Sequence, residues 1–194
     1  MNIINHQIIS IANDELHLVE VTTYNSKLSR ADRNYFKTYI IQRSKRSLDN
    51  YAVSHSYPYI LMYFSQFRVS VDIECHTKFK HQYSTLIASE NEIESLIKHV
   101  GELPSKVQLS SLWTLKEAYG KYYGVGLDYG LQSIVLNNNC MSSNFISPKA
   151  SIRLYLGIDE TYSFTIAHEK AWTEEKRQSF SKALNCGVNT FTGI

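Results

Sequence analysis

Asp72 and Glu74 stand two residues apart in FRVSVDIEC, a segment rich in β-formers. Strand alternation puts both carboxylates on one face, with Val71 and Ile73 on the other. Like charges side by side repel; a divalent cation removes the repulsion, and hard oxygen ligands suit Mg²⁺. Taken alone, the pair fits a plain exposed strand face better than a metal site. A second set lies in SLWTLKEAYGKYYG, where Trp113, Glu117 and Lys121 recur at helical spacing and share a face. That acid and ammonium, one turn apart, suit either a phosphate-binding metal site or a surface ion pair beside a packed Trp. Lys116 points about 100° away from Glu117 and is a separate candidate phosphate contact. The third set is Ser54-His55-Ser56, at the end of a strand-like stretch. No Asp follows closely and no GxSxG occurs, so the triplet does not read as part of a hydrolase triad.

These residues need elements to hold them. His17 to Thr23 alternates and reads as a strand. Ser29 and Asp32 form a capping-box pattern before a helix carrying Phe36, Tyr39 and Ile40 on one side and Arg30, Arg33, Lys37 and Arg46 on the other. That basic side is either a solvated face or an anion-binding one. Tyr51 to Ser54, Ile60 to Ser65 and Phe67 to Cys75 read as neighbouring antiparallel strands. Phe79 to Ala88 and Glu92 to Val100 read as helical, with Asn91 as candidate N-cap of the second. Ser105 opens a long helix to Tyr123, stopped by Gly124. Strands follow at Leu131–Leu136, Ser151–Gly157 and Thr161–His168, then a last helix from Thr173 with Gly187 after its end; Asn137 to Ser147 reads as a polar, disordered loop. Elements cluster without βαβ alternation, which predicts an α+β fold with antiparallel sheet.

Composition sets the outer bounds. With 43% hydrophobic and 20% charged residues, the 194-residue chain is an ordinary globular one. A net charge of +2 gives no electrostatic case for nucleic acid. Three widely spaced cysteines without a CxxC argue against a disulfide framework or zinc ribbon. The start, MNIINHQIISIANDELH, lacks the features of a signal peptide, and no apolar run is long enough to span a membrane. The expectation is a soluble cytoplasmic protein. No P-loop or GxGxxG is present.

In order and spacing, SHS at 54–56, VSVDIE at 69–74 and WTLKEAYGK at 113–121 resemble the 4′-phosphopantetheinyl transferase superfamily, most closely its surfactin-type single-chain branch. Gly124-Val-Gly126-Leu127 resembles the family's glycine turn, and TYSFTIAHE its late strand. The resemblance implies two pseudo-symmetric α+β halves, each a helix on a three-stranded antiparallel sheet, with the active site between them. The halves would be 1–68, shortened, and 69–170, followed by a helix and tail at 171–194. The implied reaction moves 4′-phosphopantetheine from coenzyme A to a serine of an acyl or peptidyl carrier protein, releasing adenosine 3′,5′-bisphosphate. The pathway, whether fatty-acid, polyketide or peptide synthesis, stays open.

By the same resemblance, Asp72, Glu74 and Glu117 hold Mg²⁺, Lys121 and Lys116 contact phosphates, and Glu92 is the general base, though Glu92 also suits a helix start. Ser54 and His55 would contact coenzyme A, with Arg30, Arg33 and Arg43 assisting at the 3′-phosphate. Residues 76–104, with His76, Lys78, Lys80 and His81 beside Phe79 and Tyr83, offer a carrier-docking surface or a plain solvated one. A monomer is expected. Ala52, Tyr57 and Ser70 depart from the family pattern, and they motivate an alternative: a non-catalytic homologue that binds carrier domains or coenzyme A.

Overall fold

The chain begins with two strands, β1 (Asn2–Ile11) and β2 (Asp14–Thr22), which join β3 (Tyr51–Ser56) and β4 (Tyr59–Phe64) in an antiparallel sheet of order β1-β2-β4-β3. The computed structural model describes residues 2–11, 14–22, 28–44, 50–80, 82, 84–125, 130–143, 152–184 and 186–193. Helix α1 (Arg30–Ile41) starts at the expected capping box: Asp32 N–H donates to Ser29 Oγ, and Ser29 N–H to the Asp32 carboxylate. It buries Phe36 and Ile40 against Val19, Val21, Ile60, Met62 and Phe64.

After β4 the chain passes into a second sheet. Its strands are β5 (Val69–Cys75), β6 (Ile134–Asn137), β7 (Cys140–Ser143), β8 (Ile152–Ile158), β9 (Tyr162–His168) and β10 (Gly187–Gly193), in the order β5-β9-β8-β10-β7-β6. All pairings are antiparallel except β10 with β7. Between β5 and β6 come α2 (Ser84–Ile87), α3 (Glu90–Val100) and α4 (Ser105–Tyr123); α5 (Glu174–Leu184) precedes β10. The apolar stripe of α4 (Leu109, Leu112, Leu115, Tyr119) packs on Ile152, Leu154 and Leu156, with Leu96 of α3 beside it. A second core joins both sheets: Leu16, Leu18, Leu61 and Tyr63 meet Val71, Ile73, Phe164 and Ile166, and α5 closes it with Phe180 and Leu184. Gly124 takes the left-handed conformation (φ 76°) that ends α4, where a side chain would be strained.

Antiparallel sheets and five helices among the described residues agree with the expected α+β class. The sheets have four and six strands rather than three each. The extra strands include β1 and β10, neither anticipated. The N-cap of α3 is Ser89, not Asn91, and Ser105 is the first helical residue after Pro104 rather than the cap. Among the described residues of Phe79–Ala88 only Ser84–Ile87 is α-helical, and a 3₁₀ turn covers His76–Lys78. The segment read as a disordered loop forms the β6–β7 hairpin as far as Ser143, turning through Asn138 at φ 46°. Residues 144–147, and Gly126 and Leu127 of the glycine turn, lie outside the described residues.

Candidate active site

The site lies where two sheet edges meet. β3 is the outer strand of the first sheet and β5 that of the second, and α4 crosses beside β5. Ser70 ties β5 to α4: its Oγ donates to the Ala118 carbonyl at 2.5 Å. The next residues on that face of the strand are Asp72 and Glu74, as alternation requires. Asp72 is 3% exposed. Its Oδ1 accepts from Lys121 Nζ at 2.6 Å and from Ser54 Oγ at 2.8 Å, while Oδ2 is buried without a partner. Burial pushes the Asp72 carboxyl up to about 7, against the pull of Lys121 and Ser54. Glu74 Oε2 accepts from Ser56 Oγ at 2.7 Å and from Lys78 Nζ at 2.9 Å. Glu117, one helical turn before Lys121, lies 3.9 Å from the same ammonium that holds Asp72. Burial raises the Glu117 carboxyl too; Lys121 opposes this and the Glu74 charge adds to it.

Asp72, Glu74, Glu117 and Lys121 are thus brought together. Among the described residues no three acids, histidines or cysteines form a closed metal-ligand set. Instead, the Lys121 ammonium bridges Asp72 and Glu117. The donor set nevertheless fits a hard divalent cation. It offers three carboxylates, of which the Glu74 charge raises the proton affinity of the other two, and one orphaned buried oxygen on Asp72.

The basic residues separate. Arg33 of α1 donates from Nη1 to His55 Nε2 at 2.9 Å. Burial lowers the His55 pKa, and the nearby charges of Arg33, Lys78 and Lys121 lower it further. Arg33, Lys78 and Lys121 make a cationic rim around the acids, with His55 as a neutral ring among them. Arg30 is exposed in the first turn of α1. Arg43 lies at the far end of α1, its guanidinium 3.7 Å from the Tyr39 ring centroid, and not beside His55. The Ser54 hydroxyl, expected against coenzyme A, is buried and given to Asp72.

Lys116 and Glu92 differ most from expectation. Lys116 is fully buried, and its ammonium reaches Glu92 Oε1 and the Ile87 carbonyl, each at 2.8 Å, and the Leu131 carbonyl at 3.1 Å. Every donor it has is spent inside the protein, so it is not presented to a phosphate. Glu92 Oε2 accepts from Ser89 N–H and Oγ, and Oε1 also accepts from Leu136 N–H at 3.0 Å. Its carboxylate is therefore the N3 member of a capping box and half of a buried ion pair. Ile87 and Leu131 line a cavity of about 410 Å³ with Phe79, Leu86 and Trp113; Glu74 and Lys78 stand at its polar lip. His76 is buried between Ser110 Oγ and the Asp159 carbonyl, and so is not a surface group; Lys80 is exposed. His81 and Tyr83 lie outside the described residues.

Two members of this constellation escaped the reading of the sequence as site residues. Lys78 is four residues from Glu74, a spacing that suggests contact only in a helix, whereas a strand-to-3₁₀ corner makes it here. Ser56 showed a signal, the i, i+2 repeat with Ser54 matching that of Asp72 and Glu74. No helix among the described residues is long and apolar enough to cross a membrane. A search of curated proteins finds no match to the chain. The model of the family described as ACPS, 4′-phosphopantetheinyl transferase superfamily, matches residues 68–180, a span that takes in β5, α4, all three acids and Lys121. With more than half of the sequence matched, the three acids and Lys121 within it, the chain belongs to the 4′-phosphopantetheinyl transferase superfamily.

Proposed function

We propose that the chain transfers 4′-phosphopantetheine from coenzyme A to a serine hydroxyl of an acyl or peptidyl carrier protein. The observation that carries this reading is the Lys121 ammonium held between Asp72 and Glu117, with Glu74 beside them, inside the matched segment. In the reaction the serine oxygen attacks the phosphorus that bears the pantetheine arm. The bond to the adenosine-side phosphate breaks, the serine proton is lost, and adenosine 3′,5′-bisphosphate leaves. Asp72, Glu74 and Glu117 would hold Mg²⁺, which when bound neutralises charge on the diphosphate and its leaving oxygen. Lys121 is 38% exposed, so its ammonium can turn from Asp72 to a phosphate oxygen. His55 and Arg33, paired on the rim, would take the 3′-phosphate, with exposed Arg30 on the helix of Arg33. The apolar cavity beside Glu74 suits the uncharged part of a substrate.

For the serine proton, Glu92 is the acceptor to test. It stands behind the cavity wall, since its partner Lys116 also holds the carbonyls of Ile87 and Leu131. To take a proton it must exchange one of its present donors for the serine hydroxyl. Glu92→Gln keeps much of the cap and cannot accept the proton. The variant also strands the buried Lys116 ammonium, so its melting temperature should fall; a base role predicts that transfer, assayed on folded protein below that transition, is slowed by about 10²-fold or more, and unchanged transfer assigns Glu92 to structure alone.

The decisive experiment incubates the chain with an apo carrier protein, coenzyme A and Mg²⁺, and weighs the carrier. Gain of one phosphopantetheine group by wild type, with none by Asp72→Asn, is the expected result. Equal modification by both would remove Asp72 from the reaction. No modification under any metal condition, with coenzyme A still bound, would favour a non-catalytic binder.

A further inference from the structure

Two adjoining sheet edges pose a physical problem. Edge strands carry unpaired backbone groups, and β3 and β5 belong to separate hydrogen-bonded sheets. They are joined instead by side chains in a repeating pattern. Ser54 Oγ donates to Asp72 Oδ1 at 2.8 Å, and Ser56 Oγ donates to Glu74 Oε2 at 2.7 Å. Both serines sit two apart on one face of β3, both acids two apart on one face of β5, and each contact spans 18 residues. Ser56 Oγ also accepts the Cys75 N–H at 2.9 Å, while Cys75 Sγ donates to the Tyr57 carbonyl at 3.1 Å. Both hydroxyls are buried: Ser54 is 6% exposed and Ser56 1%. Each therefore points its single proton at one carboxylate, in surroundings that water does not share.

We infer that Ser54 and Ser56 are positioning residues, which clamp Asp72 and Glu74 in the orientation that admits a divalent cation. This rests on the transferase reading above. It gives the serines no contact with substrate: the first sheet contributes hydroxyl donors, and the second contributes the ligands. A carboxylate swinging freely about its side-chain torsions pays rotamer entropy on binding an ion. One already fixed by a serine does not. Outer hydrogen-bond partners of metal ligands are worth typically 10–100-fold in metal affinity.

The test is Mn²⁺ binding in the presence of coenzyme A, read from the electron paramagnetic resonance of the free ion, without turnover. Ser54→Ala decides the matter, because Asp72 is the only partner of that hydroxyl among the described residues. Its Mn²⁺ Kd should rise about tenfold or more, with Ser54→Thr, which keeps the hydroxyl, recovering most of the loss. Ser56→Ala should behave alike. Should it fail to fold for want of a partner for Cys75 N–H, Ser54→Ala still carries the result. A folded Ser54→Ala protein whose Kd stays within about fivefold of wild type overturns the inference while leaving the transferase intact. Wild-type protein that binds no Mn²⁺ removes the metal site itself, and with it both readings.

Discussion

Replacing Lys116 by methionine deletes an ammonium while keeping an unbranched stem of similar length. The perturbation falls on three acceptors at once: Glu92 Oε1, the Ile87 carbonyl and the Leu131 carbonyl. Methionine offers none of them a proton. Glu92, 4% exposed, is left as a buried carboxylate without its counter-charge. Removing one partner of a buried pair costs about 3–5 kcal/mol, because the other must then be neutralised or hydrated. For a chain of this length each kcal/mol moves the midpoint by about 2–4 °C, so the melting temperature should fall by roughly 6–20 °C. The companion variant is Lys116→Met/Glu92→Gln, in which a neutral amide faces a neutral thioether and the stranded charge is gone. Its loss should be smaller than the two single losses added, with a coupling of about 0.5–3 kcal/mol. Thermal denaturation followed by circular dichroism reads both quantities, and coenzyme A binding is measured below the transition. A Lys116→Met protein that melts within about 2 °C of wild type but binds coenzyme A much more weakly would refute the structural assignment. It would restore Lys116 as a phosphate contact.

Asp72→Asn should abolish Mg²⁺-supported transfer yet fold at least as well as wild type, since the amide oxygen still accepts from Lys121 and Ser54 and a buried charge is removed; a large drop in melting temperature would contradict this. His6 is lowered to about 4, chiefly by burial, and contacts His17, itself lowered and hydrogen-bonded to Glu15. In the unfolded chain these rings charge near 6.5, so the unfolded state binds more protons between about pH 4 and 6.5 and stability should fall as pH drops through that window. His6→Gln should flatten the slope of melting temperature against pH there, and an unchanged slope would discount the histidine. A methyl at Gly157 would lie 2.2 Å from the ring of its cross-strand partner Phe164, so Gly157→Ala should cost about 1–3 kcal/mol, read as a melting-temperature drop of several degrees.

What could be read without coordinates was whatever is written locally. Ser29 with Asp32 announces α1, Gly124 ends α4, and alternation in VSVDIE puts the two acids on one face. The N-cap of α3 was only half legible: Ser89 with Glu92 and Asn91 with Glu94 both carry the capping-box spacing, and the fold uses the first. The strands β1 and β10 were not. NIINHQIISI and GVNTFTG carry mixed polar sequences, and each becomes a strand through its pairing, β1 with the adjacent β2 and β10 with β8 on the far side of α5. Lys116 marks the limit of helical periodicity. The period says that it points away from Glu117, but only the packing of α2, α3 and the turn before β6 says that Glu92 and two carbonyls wait there. A cation read as a ligand contact thus becomes a core ion pair.

The placement of the serines bears on how the two sheets share the work. The matched family segment opens at residue 68, so it contains the acids and Lys121 and excludes β3 and α1. Yet the donors on Asp72 and Glu74 include Ser54 and Ser56 of β3, and the rim on which Lys121 opens includes His55 and Arg33. The second sheet alone would carry buried carboxylates facing one another with only Lys121 and Lys78 to offset them, an arrangement costly in the absence of a cation. The first sheet relieves part of that cost with two neutral donors, each to one carboxylate oxygen, without adding a positive charge that would compete with a metal. A lysine or arginine at position 54 or 56 would hold the acids more strongly and repel the ion. A hydroxyl orients them and leaves their charge available, and that physical distinction explains serine, rather than a cation, at both positions of this seam.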